Sequence, residues 1–497
     1  MSTAPALYLG STRAIDGTGA VSKLSLPAHH LTTHGVIVGM TGSGKTGMTT
    51  VMIEEALGAG VPVLVIDVKG DLPNLLLAFP DFDPGRFMPW VEGCSEPNET
   101  RSPEAMARAL AEQRRVGLEA WGIRERELAA YAACTEVRMI TPGSSAGESL
   151  HLLSSLERRS ARWDHDPEAA RAALSAAISL VLRLLGRDPD PAKSREHVLL
   201  SLLAERRFRL GQSAELPALL HELADPPIDE VGALPIDDFL PKKERRELAA
   251  ALNTLLASPT FASWREGAGL DVGEWLTPRN GRTPAVIVSV AHLEDEERAL
   301  VLGVLLEEVL AWVRSLPGSQ RLRALVVFDE VYGFLPPHPH NPPTKRPLVA
   351  LMKQARAFGV GVIVATQNPM DLDYRALSNA GFWCVGRLQT DADRARVMDG
   401  LAASANADRA TTQAIARVVT RLAPRWFVVR DAQSNGLGLL QPRWAMSMLR
   451  GPMTRTELKL ALAEHSRVVK GNTELPVTTR VTATTPTPDQ RIQWTTP

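Results

Sequence analysis

The chain has few cysteines and almost no net charge. Only three of its 497 residues are cysteine, and Cys94, Cys134 and Cys384 lie far apart in the sequence. This spacing argues against a disulfide framework and against a structural zinc site. The formal net charge of −1 excludes a protein that coats nucleic acid with its whole surface. A ring or a groove stays possible, because it needs positive charge only on the face that follows the phosphates.

Long apolar runs and targeting signals are also lacking. The most apolar helix candidate, residues 298–313, contains Glu307 and Glu308, so no segment has the character of a membrane span. Residues 1–20 lack the basic-then-apolar pattern of a secretory signal. We therefore expect a soluble cytoplasmic protein without a membrane partner. The hydrophobic fraction of 44% is ordinary for a packed globular protein.

What the chain does contain is a complete phosphate-binding motif. The sequence GMTGSGKT at residues 39–46 fits the P-loop pattern G-x-x-x-x-G-K-[ST] at every fixed position. It follows an apolar run at 36–38 that is typical of a buried strand, and it precedes a helical stretch at 47–57. This strand–loop–helix context is the one that the motif requires.

The loop predicts how a nucleoside triphosphate is held. Its glycines let backbone N–H groups turn toward the phosphates, and the helix N-terminus adds favourable charge. Lys45 is expected to reach the β- and γ-phosphates, and the Thr46 hydroxyl is expected to hold Mg²⁺. The cofactors predicted here are ATP and Mg²⁺. The predicted nucleotide-binding residues are Gly39, Thr41, Gly42, Ser43, Gly44, Lys45 and Thr46.

Two later apolar runs end in polar residues that suit hydrolysis. Asp329 ends the run at 325–329, and Glu330 follows it directly, which is a Walker B pattern. Asp329 is predicted to hold Mg²⁺ through water, and Glu330 to orient and deprotonate the attacking water. Gln367 follows the run at 360–366 and is predicted to sense the γ-phosphate, because parallel sheets bind ligands at strand C-termini. The DVKGD sequence at 67–71 ends another strand, so its carboxylates and Lys69 are expected to face the same edge. These residues either form a loop there or take part directly in the chemistry.

An arginine near the γ-phosphate accelerates phosphoryl transfer, and two arginines are candidates. Arg356 lies between the Walker B run and the run that ends at Gln367, and Arg387 follows it. The sequence leaves open whether either acts within its own subunit or across a subunit boundary.

The pattern of runs predicts an α/β fold with a mostly parallel sheet covered by helices. We expect a short lead-in at 1–31, an ATPase core at 32–100 and 266–450, and a C-terminal segment at 451–497 with a flexible tail. Residues 101–265 are rich in Ala, Leu, Arg and Glu at helical spacing and predict a mainly helical insertion, interrupted by a strand at 137–140. Six prolines at 336–347 predict a stiff loop that is neither helix nor central strand.

The order of these motifs resembles that of the HerA-type ATPases of the HerA/FtsK superfamily. The matching segments are GMTGSGKT, DVKGDL, VVFDEVYGFLPPHPHNPP, KQARAFGVGVIVATQNPMDLDYRALSNAG and GRLQTDADRARVMDGL. They cover about residues 32–90 and 270–450. The resemblance implies a RecA-like P-loop core of the ASCE type that assembles as a hexameric ring around double-stranded DNA. It also implies that Arg356 matches the arginine of the family's Arg-x-Phe-Gly stretch, and that a nuclease or defence effector is a possible partner.

Two departures from the family pattern bear on these implications. The family usually begins with a small β-barrel, for which residues 1–31 offer little length. The family also often has an arginine just before the histidine upstream of the P-loop, whereas Thr33 precedes His34 here. This difference shifts the search for the catalytic arginine to Arg356 and Arg387.

Three functions fit these motifs. The first is an ATP-driven translocase or helicase on double-stranded DNA. The second is a nucleotide-gated assembly or signalling ATPase, and the third is a motor that moves protein, as in secretion or conjugation. Glu330 beside Asp329 favours real hydrolysis over a purely scaffolding role, but it does not choose among the cargoes.

Overall fold

A computed structural model describes residues 5–91, 101–373, 377–378, 380–405, 409–434 and 436–471. Cys94 and the tail predicted at 472–497 lie outside these residues. Within them, the strands are β1 (Ala6–Arg13), β2 (Ser22–Pro27), β3 (Gly35–Val38), β4 (Val63–Asp67), β5 (Thr135–Ile140), β6 (Leu150–His151), β7 (Glu230–Val231), β8 (Leu234–Pro235), β9 (Ala268–Gly269), β10 (Thr283–Ser289), β11 (Ala324–Asp329), β12 (Val360–Thr366), β13 (Phe382–Val385), β14 (Phe427–Asp431) and β15 (Gly436–Pro442).

The α-helices cover both faces of the sheet that these strands form. They are α1 (Lys45–Gly58), α2 (Pro84–Phe87), α3 (Pro103–Glu119), α4 (Glu125–Cys134), α5 (Ser154–Glu157), α6 (Arg162–His165), α7 (Pro167–Leu184), α8 (Arg195–Arg209), α9 (Leu216–Ala224), α10 (Ile236–Phe239), α11 (Lys242–Ala257), α12 (Pro259–Ala262), α13 (Val272–Trp275), α14 (Asp295–Ser315), α15 (Lys345–Gln354), α16 (Asp391–Ala405), α17 (Arg409–Val419) and α18 (Arg455–Gly471). Among the described helices, none combines the length and the apolarity that a bilayer span needs.

One large sheet organises the molecule. Its strand order is β2-β1-β15-β14-β13-β3-β12-β11-β4-β10-β5. The strands from β13 to β5 run parallel, whereas β14, β15, β1 and β2 pair antiparallel with their neighbours. The strand before the P-loop, β3, is separated from the Walker B strand, β11, by β12. The P-loop, Asp329 and Gln367 therefore lie at one edge of the sheet, because each follows or ends a parallel strand.

The central strands are buried on both faces, as a parallel sheet in an α/β fold requires. In β4, Leu64 and Ile66 face a core that includes residues of α7, α8 and α14. Val63 and Val65 face the opposite core, which includes residues of α1, α3 and α4. The apolar runs thus form strands because each of their residues has a helix layer to pack against. The mostly parallel α/β sheet predicted from the sequence is confirmed.

The predicted helical segment at 101–265 is largely helical, but part of it is built into the sheet. Thr135–Ile140 forms the edge strand β5 and pairs in parallel with β10. The first part of this segment forms two helices, α3 and α4, with a break at Gly122, which has a positive φ of 76°. The division of the chain at residues 101 and 265 into an ATPase core and an insertion stays a prediction.

The proline-rich stretch is a loop over most of its length, but its last residues, from Lys345, begin α15. Proline is tolerated there because a first-turn residue has no backbone hydrogen bond to lose. The lead-in at residues 1–31 forms β1 and β2, which extend the main sheet through the pairing of β1 with β15.

Candidate nucleotide-binding site

The P-loop adopts its turn because two glycines have left-handed backbone conformations. Gly42 has a φ of 77° and Gly44 a φ of 97°. A side chain would be strained at both positions. At Gly44 an added Cβ would also lie 3.1 Å from the Cα atom of Arg425. Helix α1 begins at Lys45, directly after Gly44, so its unpaired N–H groups and its positive end face the loop.

The Lys45 ammonium lies inside the loop. It donates hydrogen bonds to the carbonyl oxygens of Gly39, at 2.6 Å, and of Met40, at 3.1 Å. Burial, together with the charge of Lys69, lowers the pKa of Lys45 to about 8, while Glu330 and Asp329 act in the opposite direction. A polyphosphate beside this ammonium would favour its charged form, so the position suits an anionic ligand.

The Glu330 carboxylate is held between three elements. Its Oε1 atom accepts hydrogen bonds from the Thr366 hydroxyl, at 3.0 Å, and from the Gln367 backbone N–H, at 3.2 Å. Its Oε2 atom forms an ion pair with the Lys69 ammonium. Glu330 also has a φ of 62°, a left-handed conformation that costs on the order of 1–3 kcal/mol for a residue with a side chain. Such strain is found where surrounding contacts over-determine a position, as they do here.

Asp329 and Asp67 form a buried acidic pair beside Glu330. They face each other in register on the adjacent parallel strands β11 and β4. Burial, and then the charge of Asp67, raises the pKa of Asp329 to about 7. Burial also raises the pKa of Asp67 to about 6, although Ser289 and the Gly70 backbone N–H oppose this by hydrogen bonding. The sequence pointed to Asp67 only as one member of a loop at this edge.

These residues fit a divalent cation. The Oδ2 atoms of Asp329 and Asp67 are buried and have no hydrogen-bond partner. Carboxylate oxygens with spare lone pairs, next to a Thr46 hydroxyl that lines the same cavity, are the donors that Mg²⁺ prefers. Asp329 and Thr46 are therefore suited to hold Mg²⁺, directly or through water, as the sequence predicts.

Gln367 links the end of β12 to the P-loop. The Thr41 hydroxyl donates a hydrogen bond to its side-chain Oε1 atom, and its backbone N–H contacts Glu330. The structure therefore brings Gln367, the P-loop and the Walker B acids together at one site. The roles assigned to them individually stay predictions.

The two arginine candidates lie in very different places. Arg356 is in the 3₁₀ turn Ala355–Phe358, immediately before β12, and is exposed. The seven residues of β12 separate it by roughly 20 Å from the P-loop edge of the sheet, so it does not reach the site of its own subunit. It lies instead near His34, where burial, and then the charge of Arg356, lowers the histidine's pKa to about 4.

Arg387 lies beside the P-loop of its own subunit. Its carbonyl oxygen accepts a hydrogen bond from the Met40 N–H at 2.9 Å, and its side chain is exposed. A third arginine, Arg425, which the sequence motifs do not identify, also contacts the P-loop. The Arg425 backbone N–H donates to the Ser43 carbonyl at 2.9 Å, and Arg425 lines the cavity at the P-loop.

The location of Arg425 follows from the strand direction. It precedes β14, which runs antiparallel to β13, so the start of β14 lies at the same edge as the C-terminal ends of the parallel strands. The antiparallel direction of β14 is not visible in its own sequence, because it depends on the pairing with β13. Knowing that direction would have drawn attention to Arg425.

Comparison with known proteins agrees with the fold. Residues 9–134 match the family model described as helicase HerA, central domain. No curated protein matches the chain. Among solved structures, VirB4 of Thermoanaerobacter pseudethanolicus has a TM-score of 0.52 at 13% identity, over 90% of this chain and 99% of that chain. The plasmid coupling protein TrwB, in complex with ADP and Mg²⁺, has a TM-score of 0.47 at 14% identity, over 90% of this chain and 98% of that chain.

The likeness to VirB4 supports the RecA-like fold and nothing further, because the identity is low. The family match covers β3, the P-loop, α1 and β4, which are the elements that carry the phosphate site. The resemblance to the HerA-type ATPases is thereby confirmed over residues 9–134, which match the model of the HerA central domain.

Proposed function

We propose that this protein is an ATP-hydrolysing ring motor that moves along, or unwinds, double-stranded DNA. The proposal of hydrolysis rests on the position of the Glu330 carboxylate beside the P-loop, where Thr366, Gln367 and Lys69 hold it. A protein that only binds nucleotide does not need a positioned base at this point. The DNA substrate is supported by the match to the HerA central domain and not by a contact in the structure.

In the proposed reaction, Lys45 and the N-terminus of α1 bind the β- and γ-phosphates. Thr46 and Asp329 would hold Mg²⁺, and the ion would supply positive charge that neutralises the polyphosphate. Glu330 accepts a proton from a water molecule, the water oxygen attacks the γ-phosphorus, and the bond to the β–γ bridging oxygen breaks. The products are ADP and inorganic phosphate. Because Lys69 occupies one oxygen of Glu330, this ion pair has to loosen before that oxygen can bind water.

We infer further that the ring is a hexamer in which Arg356 acts on the neighbouring subunit's nucleotide. Arg356 is too far from its own P-loop, yet it is exposed at the opposite edge of the sheet. A head-to-tail ring places a different surface of each subunit against the next one, so such a residue can meet a neighbour's site. Arg387 and Arg425 are the candidates for the arginine within the subunit.

The test of this function is ATP turnover with and without linear double-stranded DNA at low salt. We expect basal turnover that DNA increases, and an increase that fades as salt rises, because DNA binding releases counterions. Absence of stimulation at every salt concentration would instead favour the assembly or signalling ATPase, or the protein-moving motor.

The control is Glu330→Gln, which keeps the shape of the side chain but removes the base. This variant should bind ATP with nearly normal affinity and hydrolyse it at least about a hundredfold more slowly. Lys45→Ala should weaken ATP binding itself. Unchanged turnover in Glu330→Gln would remove Glu330 from its assigned role.

A further inference from the structure

The edge of the sheet opposite the P-loop carries a cluster of positive charge. It is built from the turn between α14 and β11, and from the end of α15 with the 3₁₀ turn that follows it. Residues 309–328 and 331–370 contain no aspartate and no glutamate. The exposed cationic side chains of this edge, which we call the basic patch, are Arg314, Arg321, Arg323, Lys353 and Arg356.

Close contacts hold the two segments of the basic patch together. The Arg323 backbone N–H donates to the Gly359 carbonyl at 2.7 Å, and a Cβ added to Gly359 would lie 2.2 Å from the Arg321 carbonyl oxygen. The Nε atom of Arg314 donates to the Oε1 atom of Gln354 at 3.1 Å, a neutral partner that leaves the positive charge in place. Among the residues that the structure describes, no carboxylate forms an ion pair with a member of the basic patch.

A second surface has the opposite charge. Residues 211–241 contain seven acidic residues and neither lysine nor arginine, although the whole chain is almost neutral, so charge is segregated along the sequence. This stretch forms α9, the hairpin of β7 and β8, and α10. Four of its exposed carboxylates have no ion pair within the described part of the chain, and we call them the acidic patch: Asp225, Asp229, Glu230 and Asp238.

Ion pairs between helices show on which side of the subunit the acidic patch lies. Helix α14 follows β10 and precedes β11, so it begins at the P-loop edge of the sheet and ends at the basic patch. Arg183, in the last turn of α7, pairs with Glu296, in the first turn of α14, at 2.7 Å. Helix α7 therefore runs antiparallel to α14 and ends on the P-loop side.

Helices α8 and α10 continue from this point. Arg187 pairs with Glu196, in the first turn of α8, at 3.0 Å. Arg195, the first residue of α8, donates to the carbonyl oxygen of Phe239, the last residue of α10, at 3.1 Å. The first backbone N–H of α10 donates to the Asp229 carbonyl at 2.9 Å. The acidic patch therefore lies on the P-loop side, at the other end of the subunit from the basic patch.

We propose that the basic patch of one subunit docks on the acidic patch of a second copy of this chain. This inference rests on the proposed function, because head-to-tail contact is the geometry of the proposed ring. Two complementary surfaces at opposite ends of a subunit meet only between copies, and such a contact repeats until a ring closes. Complementary charge steers the encounter and fixes its register. Arg356 belongs to the basic patch, so the same docking carries it toward the neighbour's P-loop edge.

The test reverses the charge of each patch in turn. The basic reversal combines Arg321→Glu with Arg323→Glu, and the acidic reversal combines Asp229→Lys with Glu230→Lys. Sedimentation velocity at low salt, with Mg²⁺ and a non-hydrolysable ATP analogue, measures the midpoint concentration of assembly. We expect each reversal to raise this midpoint at least about tenfold, because like charges then face each other across the contact.

An equal mixture of the two variants should assemble nearly as well as the wild type. Each reversed patch then meets the opposite charge on the other variant, so the mixture restores every contact in an alternating ring. This recovery also shows that both variants are folded. A mixture that stays as weak as its two components would overturn the docking of these patches.

The matched control combines Arg108→Glu with Arg126→Glu, at two exposed arginines of α3 and α4 on the other face of the sheet, and should leave the midpoint unchanged. Unchanged assembly in both reversals would overturn the contact while the proposed ring stands. A wild type that stays monomeric would overturn the ring as well. Unchanged assembly together with a loss of DNA stimulation in the basic reversal would assign the basic patch to the phosphates of DNA instead.

Discussion

At the scale of single residues, the acidic pair Asp329 and Asp67 should make the binding of Mg²⁺ with ATP depend on pH. Burial, and then Asp67, raises the pKa of Asp329 to about 7, so this carboxyl group is largely protonated below that pH in the free protein. A carboxylate that holds Mg²⁺ has to be ionised. Binding of Mg²⁺ with ATP should strengthen as the pH rises toward 7, and below pH 7 it should release a proton.

We therefore predict that binding of ATP with Mg²⁺ at about pH 6.5 releases close to one proton. Toward pH 8 the release should fall and give way to proton uptake, because Lys45, whose pKa is about 8 in the free protein, becomes charged beside the phosphates. Calorimetry in two buffers of different ionisation enthalpy measures the number of protons. Asp329→Asn should remove most of the release. Asp67→Asn should move the pH window downward, because it removes a charge that raises the pKa of Asp329. Identical proton release in the wild type and in Asp329→Asn would contradict the assignment.

The sequence allowed the residues of the site to be predicted, but not their contacts. The P-loop, Asp329, Glu330 and Gln367 could be found because each follows a strand in an order that few folds share. The ion pair between Lys69 and Glu330 joins positions 261 residues apart, and the left-handed backbone of Glu330 is imposed by tertiary contacts. Neither the ion pair nor the backbone conformation can be predicted from the local sequence.

At the scale of elements, a buried ionic cluster ties the P-loop helix to the antiparallel part of the sheet. Arg443, at the end of β15, is fully buried and pairs with Glu54 and Glu55 of α1, both at 2.9 Å. Glu54 accepts further hydrogen bonds from the backbone N–H groups of Met446, at 2.9 Å, and Ser447, at 2.8 Å. The same contacts position the segment that carries Trp444, so α1, β15 and the segment after β15 are held as one unit.

Removing one partner of this cluster should be costly. Arg443→Met leaves the carboxylate of Glu54 buried without its cation, and we predict a loss of about 3–5 kcal/mol in the free energy of unfolding. Denaturant titration measures it. Arg443→Met combined with Glu54→Gln should recover part of the loss, because the unpaired charge is then gone. The control Arg115→Met, at an exposed pair on α3, should leave the unfolding midpoint nearly unchanged.

Some elements were invisible in the sequence for physical reasons. The strand β13 has only four residues, and β15 has the sequence GLGLLQP, whose glycines are unfavourable in strands. Both form because neighbouring strands supply hydrogen-bond partners along their length. The strand β5 was recognised from its apolar residues, but its membership of the main sheet depends on pairing with β10, which lies far along the chain.

At the scale of the whole molecule, the sheet separates two functional edges. The P-loop, Asp329, Glu330 and Gln367 lie at the C-terminal ends of the parallel strands, and Arg356 lies at the other end of β12. Within one subunit these edges do not meet. In a closed ring with head-to-tail contacts, every site has a neighbour that presents a different surface to it. The proposed role of Arg356 therefore requires assembly, and a monomer should hydrolyse ATP poorly.

This requirement predicts that two inactive variants rescue each other. Lys45→Ala lacks the phosphate-binding lysine, and Arg356→Ala lacks the proposed arginine of the neighbour. When the two are mixed in equal amounts and allowed to exchange subunits, about a quarter of the interfaces combine an intact Lys45 with an intact Arg356 from the next subunit. ATP turnover should recover to about that fraction of the wild-type value.

Lys45→Ala mixed with Glu330→Gln provides the control, since both residues belong to the same subunit's site and no mixed interface is complete. Recovery in the first mixture but not in the second would locate Arg356 across the subunit boundary, whereas no recovery in either would assign it a role within its own subunit, at His34.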